Sequence, residues 1–141
     1  MEVVLPWDCV VWGVPASLQG STTKRSDWRA QVAAAAATRW PPGEPALDEP
    51  LRLTVAFLHS GQPIDVDNML KPTLDGLIGV SYVDDALLEQ VLGVRQDLQV
   101  GLRLDRLSPV LLEAVAMSLS GAGPFVYLRL SPPVEFEELL G

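Results

Sequence analysis

A chain of 141 residues with ten Lys and Arg against eighteen Asp and Glu, a net charge of −8, has room for one domain. With 48% hydrophobic and 20% charged residues it is globular rather than disordered. Its acidity excludes a general nucleic-acid coat, because phosphate affinity comes from clustered Lys and Arg.

In chain order, residues 8–14 (DCVVWGV) read as a first strand ended by Gly13 and Pro15. A turn around Gln19–Ser21 leads into a helix from about Thr23 to Arg39, with Thr23 or Ser26 as cap and five alanines at its centre. Pro41, Pro42 and Gly43 stop it. Leu51 to Leu58 alternates and is rich in β-branched and aromatic residues, the clearest strand of the chain. A helix beginning at Asp67 or Lys71 and running to Ile78 carries Leu70, Leu74, Leu77 and Ile78 on one stripe. Pro72 fits that helix best in its first turn, where a missing N–H costs nothing. A short strand or turn at Val80–Val83 reaches Asp84 and Asp85, and residues 90–100 hold another strand. Ser108 to Ser118 reads as a helix with Pro109 at its first position, followed by a Gly-rich turn and a final strand, Phe125 to Leu130. The expected fold is α+β, a small mixed β-sheet packed with two or three helices. One domain spans residues 1–134, and residues 135–141 form an acidic, frayed tail.

The lone Cys9 excludes a disulfide framework and a multi-cysteine zinc site, and fits a reducing cytoplasm. No run approaches the ~18 apolar residues of a membrane span.

Half of the ten aspartates fall between residues 65 and 85, and one of only two lysines, Lys71, lies among them. In an extended segment Asp65 and Asp67 project from one face, where two carboxylates repel unless a cation sits between them. A hard divalent ion does so with oxygen ligands. Lys71, one helical turn after Asp67, reaches the same pocket, and Asp84–Asp85 returns after a helix and a reversal. Three carboxylates and a lysine of this kind suit Mg²⁺ beside a phosphodiester, with Lys71 offsetting charge in the transition state. Taken singly, Asp67 reads as a helix cap and Asp84–Asp85 as a turn; the combination carries the chemistry.

The string DVDNMLKPTLDGLIGVSYVDD, residues 65–85, resembles the core signature of the RusA family of Holliday junction resolvases. Trp12-Gly13-Val14-Pro15 and the strand Leu51–Leu58 are similar to that family's elements upstream of its acidic motif. The resemblance implies a small α/β unit that dimerises and cuts four-way DNA junctions symmetrically with Mg²⁺. By position, Asp65, Asp67 and Asp85 would be the metal-binding carboxylates and Lys71 the catalytic lysine. The family's basic N-terminal stretch is represented here only by Lys24, Arg25 and Arg29, the expected nucleic-acid contacts. Ala86–Glu89 intervenes before Gln90, so the third carboxylate could instead be Asp84 or Glu89. Asp75 either touches metal or orients Lys71.

Two rival readings stand beside this one. The first is a non-catalytic DNA- or protein-binding relative in which the acidic cluster stabilises the fold. The second, a haloacid-dehalogenase-type phosphatase, needs a threonine where Met69 stands and a buried strand before Asp65. His59 reads as structural, and Cys9 as a packed strand residue. The four tryptophans read as core or dimer packing, with Trp28, beside Lys24, Arg25 and Arg29, open to base stacking.

Overall fold

The alternation that marks residues 51–58 has a physical counterpart in the computed structural model, which describes residues 2–141. Leu51, Leu53, Val55 and Phe57 point one way into a fully buried core, and Arg52, Thr54 and Ala56 point the other. This strand, Leu51–His59, is central in a mixed four-stranded sheet. In chain order the strands are β1 (Trp7–Trp12), β2 (Leu51–His59), β3 (Leu88–Asp97) and β4 (Phe125–Ser131). Across the sheet the order is β1-β4-β2-β3, with β2 antiparallel to β4 and parallel to β3, and β1 antiparallel to β4. The architecture is therefore α+β, as expected.

One face of the sheet carries two helices, α1 (Thr22–Arg39) and α2 (Val66–Leu77). Ser21 caps α1, its side chain accepting from the Lys24 N–H at 3.1 Å. Trp28, Val32 and Ala36, four residues apart, form the buried stripe of α1. Trp28 is 2% exposed, and its indole N–H donates to Thr73 Oγ1 at 2.9 Å, tying α1 to α2. The expectation that Trp28 is open to base stacking is thereby corrected: the ring is buried between two helices. Trp7 and Trp40 are also buried, edge to face with centroids 4.9 Å apart. Gly76 lets the two helices approach closely, since a Cβ there would lie 2.7 Å from Val32 Cβ.

Pro72 lies in the middle of α2 rather than in its first turn. A proline there deprives the Asn68 carbonyl of its helical partner. The Leu18 N–H, from the loop before α1, donates to that carbonyl at 2.8 Å and fills the vacancy.

The opposite face is covered only in part. Helix α3 (Pro109–Met117), capped by the Ser108 hydroxyl with Pro109 at its first position, packs over Val10, Trp12, Phe125 and Tyr127. In the tail, residues Phe136–Leu140 form α4, a fourth helix where two or three were expected. The Gln90 side chain clamps the segment before it, donating to Val134 C=O at 2.8 Å and accepting from Val134 N–H at 3.0 Å. Among the described residues no helix is long and apolar enough to cross a membrane.

Candidate functional site

Helix α2 presents Asp67, Lys71 and Asp75 at successive turns of one stripe. Packing fixes the helix beneath them. Met69, Thr73, Gly76 and Leu77 are buried, and Gly93 of β3 takes the helix at close range, where a Cβ would meet Val66 Cγ1 at 2.6 Å. The stripe itself faces outward, toward the segment that leads into β3.

That segment is held by backbone and phenol. The Leu47 N–H donates to Ser81 C=O and the Val83 N–H to Leu47 C=O, each at 3.0 Å. The Tyr82 hydroxyl donates to the Leu74 carbonyl of α2 at 2.7 Å, and burial pushes its ionisation well up, so it stays a neutral donor. Asp84 then caps the 3₁₀ turn Asp85–Leu87, its Oδ1 accepting from the Ala86 N–H at 3.3 Å. Asp85 is thus delivered to α2 immediately before β3 begins.

Lys71 Nζ donates to Asp85 Oδ2 at 2.9 Å and pairs with Asp75 Oδ1 at 2.9 Å. Hydrogen bonds donated to Asp85 first and Asp75 second hold its ammonium well above the usual lysine range. The Lys71 bond in turn pulls the Asp85 carboxyl below the ordinary 3.8. Lys71 therefore acts as a fixed cation and not as a base at neutral pH. An ammonium has three N–H donors, two of which face these carboxylates, leaving one for a further oxygen.

The remaining carboxylates of the motif lie along the same helix. Asp65 occupies the N-cap position without a side-chain cap bond, and Asp67 is in the first turn, where the helix dipole favours its charge. Both are exposed and make no side-chain hydrogen bond or ion pair among the described residues. At about 1.5 Å per residue, Asp65 stands some 9 Å along the axis from Lys71. Asp65, Asp67 and Asp85 are not gathered into one cage: among the described residues no three His, Cys, Asp or Glu side chains are placed to share a metal. Asp85 and Asp75 instead meet at Lys71, so Asp75 orients the lysine. Asp84 serves its turn, and Glu89 is exposed at the start of β3.

Mg²⁺ keeps several waters and is commonly held by one or two carboxylates plus substrate phosphate. Asp65 and Asp67 each present an exposed carboxylate, the oxygen donor that Mg²⁺ takes.

Elsewhere the arrangement is structural. His59 is 9% exposed, and its Nδ1 accepts from the Gly61 N–H at 3.0 Å. Cys9 is fully buried, and desolvation pushes its thiol up to about 12, so it is inert at neutral pH. Of the three expected nucleic-acid residues, Arg25 is engaged locally by the carbonyls of Leu18 and Gly20 and the Thr22 hydroxyl. Lys24 is exposed and Arg29 half-buried on the same helix. Sequence reasoning missed Tyr82 and Leu47, which place Asp85; their contacts are long-range and carry no local signal.

No protein-family model matches this chain, and no curated protein is significantly similar to it.

Proposed function

We propose that this chain is a Mg²⁺-dependent, structure-specific endodeoxyribonuclease of the RusA type, a homodimer that resolves four-way DNA junctions by phosphodiester hydrolysis. The observation that carries the reading is Lys71, locked between Asp75 and Asp85 on the helix that begins with the unpaired carboxylates of Asp65 and Asp67. Asp65 and Asp67 would hold the ion. The chemistry a magnesium ion supplies at such oxygens is polarisation of the phosphoryl group and activation of water.

The protein's own part is electrostatic. Lys71 offers its third donor to a phosphoryl oxygen as charge grows on it. Asp85 and Asp75 position that ammonium and keep it protonated. Lys71 with its two partners carries a net charge of −1, and Asp65 and Asp67 add two more, so the site needs a cation before it can admit a phosphodiester. Two matched cuts across a four-way junction call for two copies of the site related by two-fold symmetry.

One observation favours the second reading, a non-catalytic binding module: the third carboxylate is joined to lysine and not to Asp65 and Asp67. Incubation with a labelled four-way junction and with linear duplex, each with Mg²⁺ or EDTA, separates the two. Junction nicking that needs Mg²⁺ and disappears in Asp67→Asn supports the nuclease. Nicking that survives this substitution overturns the site, and no cleavage of any branched substrate by Mg²⁺-loaded protein supports the module.

A further inference from the structure

The sheet face turned away from α1 and α2 is only half covered. Register places Asp8, Arg129 and Thr54 side by side on β1, β4 and β2, with Arg52 two residues before Thr54 on the same face. Helix α3 covers the other half, over Trp12 and Phe125, and its cap reaches Asp8, the Ser108 hydroxyl donating to Asp8 Oδ2 at 2.8 Å. Two grooves result. One, of about 580 Å³, runs between Arg52 and Arg129 on one wall and Glu135 and Glu138 of the tail on the other. The second, of about 590 Å³, is lined by Arg39, Arg106 and Arg129 together with Asp8, whose Oδ2 accepts from the Ser108 and Tyr127 hydroxyls at 2.8 and 2.7 Å. Arg129 lines both.

The chemistry of this track is distinctive in so acidic a chain. Four of the ten basic residues line it. Arg39 pairs with Asp8 at 3.4 Å, but the side chains of Arg52, Arg106 and Arg129 make no hydrogen bond or ion pair among the described residues. Arg106 and Arg129 are exposed and Arg52 half-exposed, so these guanidinium groups are open to phosphate oxygens. The tail supplies the complementary fact. Clamped at Val134 by Gln90, it sets Glu135 and Glu138 across the groove from Arg52 and Arg129 without pairing with either.

We propose that this arginine track binds the phosphodiester backbone of nucleic acid, and that the acidic tail competes with the phosphates for Arg52 and Arg129. The choice of nucleic acid rests on the nuclease reading; the charge pattern alone specifies a polyanion. The strand register joins the two surfaces. Asp85 lies three residues before Leu88, which pairs with Leu51, the neighbour of Arg52. Arg52 of the track and Asp85 of the Lys71 site thus lie near the same end of the β2–β3 pair.

The test measures binding of a labelled four-way junction by fluorescence anisotropy in EDTA, at several salt concentrations, with full-length protein. For Arg52→Ala/Arg129→Ala the expected result is roughly tenfold weaker binding and a salt slope smaller by about two, one for each lost phosphate contact. Arg52→Lys/Arg129→Lys restores most of the affinity, which separates lost charge from lost fold. Glu135→Gln/Glu138→Gln binds several-fold tighter than the natural chain. Unchanged affinity and slope in the Arg→Ala pair overturn the track while leaving the nuclease reading intact, provided Mg²⁺-dependent cleavage persists. Affinity in the Glu→Gln pair equal to that of the natural chain overturns the competition by the tail. Poly-glutamate bound as tightly as the junction overturns the assignment to nucleic acid.

Discussion

Lys71 commits two of its three donors to Asp75 and Asp85, whereas Arg52, Arg106 and Arg129, across the sheet, commit none. The two regions differ in support as well as in sign. The acidic side stands on α2, wedged against α1 through Gly76 and against β3 through Gly93, so its charges are fixed by packing. On the basic side Arg52 and Arg129 stand on sheet strands, faced by a short tail that one glutamine clamps at Val134. A charge set by buried packing suits a group that must hold position at a reacting bond. A row of free guanidinium groups suits adaptable contact with a long polyanion. The net charge of −8 is therefore a poor guide to this molecule, because the carboxylates of residues 65–85 and of the tail conceal a basic half-face.

The sharpest way to break the contrast is to remove the fixed cation. Lys71→Met is expected to lower the junction-cleavage rate by ~10²–10³-fold, as loss of a preorganised transition-state donor does. The thermal midpoint should hardly move, because exposed ion pairs contribute only about 0–1 kcal/mol. Single-turnover cleavage with Mg²⁺ and a thermal melt on the same sample decide it. Cleavage within threefold of the natural chain would move the chemistry away from α2.

Disturbing the packing beneath the acidic side should cost stability there and spare the basic side. Gly76→Ala gains roughly 0.5–1 kcal/mol of helix propensity. Its methyl, however, would stand 2.7 Å from Val32 Cβ and 3.0 Å from the Arg29 carbonyl, backbone that cannot swing away. Overpacking of this kind costs about 1–3 kcal/mol, so the net is destabilising. Urea unfolding should show the midpoint shifted down with an unchanged slope; a midpoint shifted up would mean that α1 and α2 sit farther apart.

What the sequence disclosed, and what it hid, divides along local and distant contacts. Helix α3 was legible because Ser108 and Pro109 are themselves its start signal. The Lys71–Asp75 pair was legible because i, i+4 spacing dictates it. The position of Pro72 was not, because the group that relieves it is the Leu18 N–H, brought in by the tertiary fold. Trp28 invited base stacking by its basic neighbours, and only Thr73 on another helix shows it buried. Residues 135–141 looked loose because the clamp just before them, on Val134, comes from Gln90, far away in the chain. Arg52 and Arg129 showed nothing until antiparallel pairing set their strands side by side.

The smallest expected effect probes the ion pair alone. The Asp85 carboxyl is held below its ordinary 3.8 and the Lys71 ammonium above its ordinary 10.5, so the pair stabilises the folded chain most between those values. The signs differ at the two ends. Because the carboxyl is depressed, its contribution is present above pH ~4 and lost as pH falls through the folded value. Because the ammonium is raised, its contribution is present below 10.5 and lost as pH climbs through its folded value. The Lys71 side chain is 52% exposed and that of Asp85 28%, so solvent screening limits the whole effect to under about 1 kcal/mol. Urea titrations of the natural chain and of Asp85→Asn should therefore differ by a small, constant amount from pH 5 to 9 and converge below pH 4. Curves that diverge toward acid would mean that protonated Asp85, and not its salt bridge, holds the start of β3 against α2.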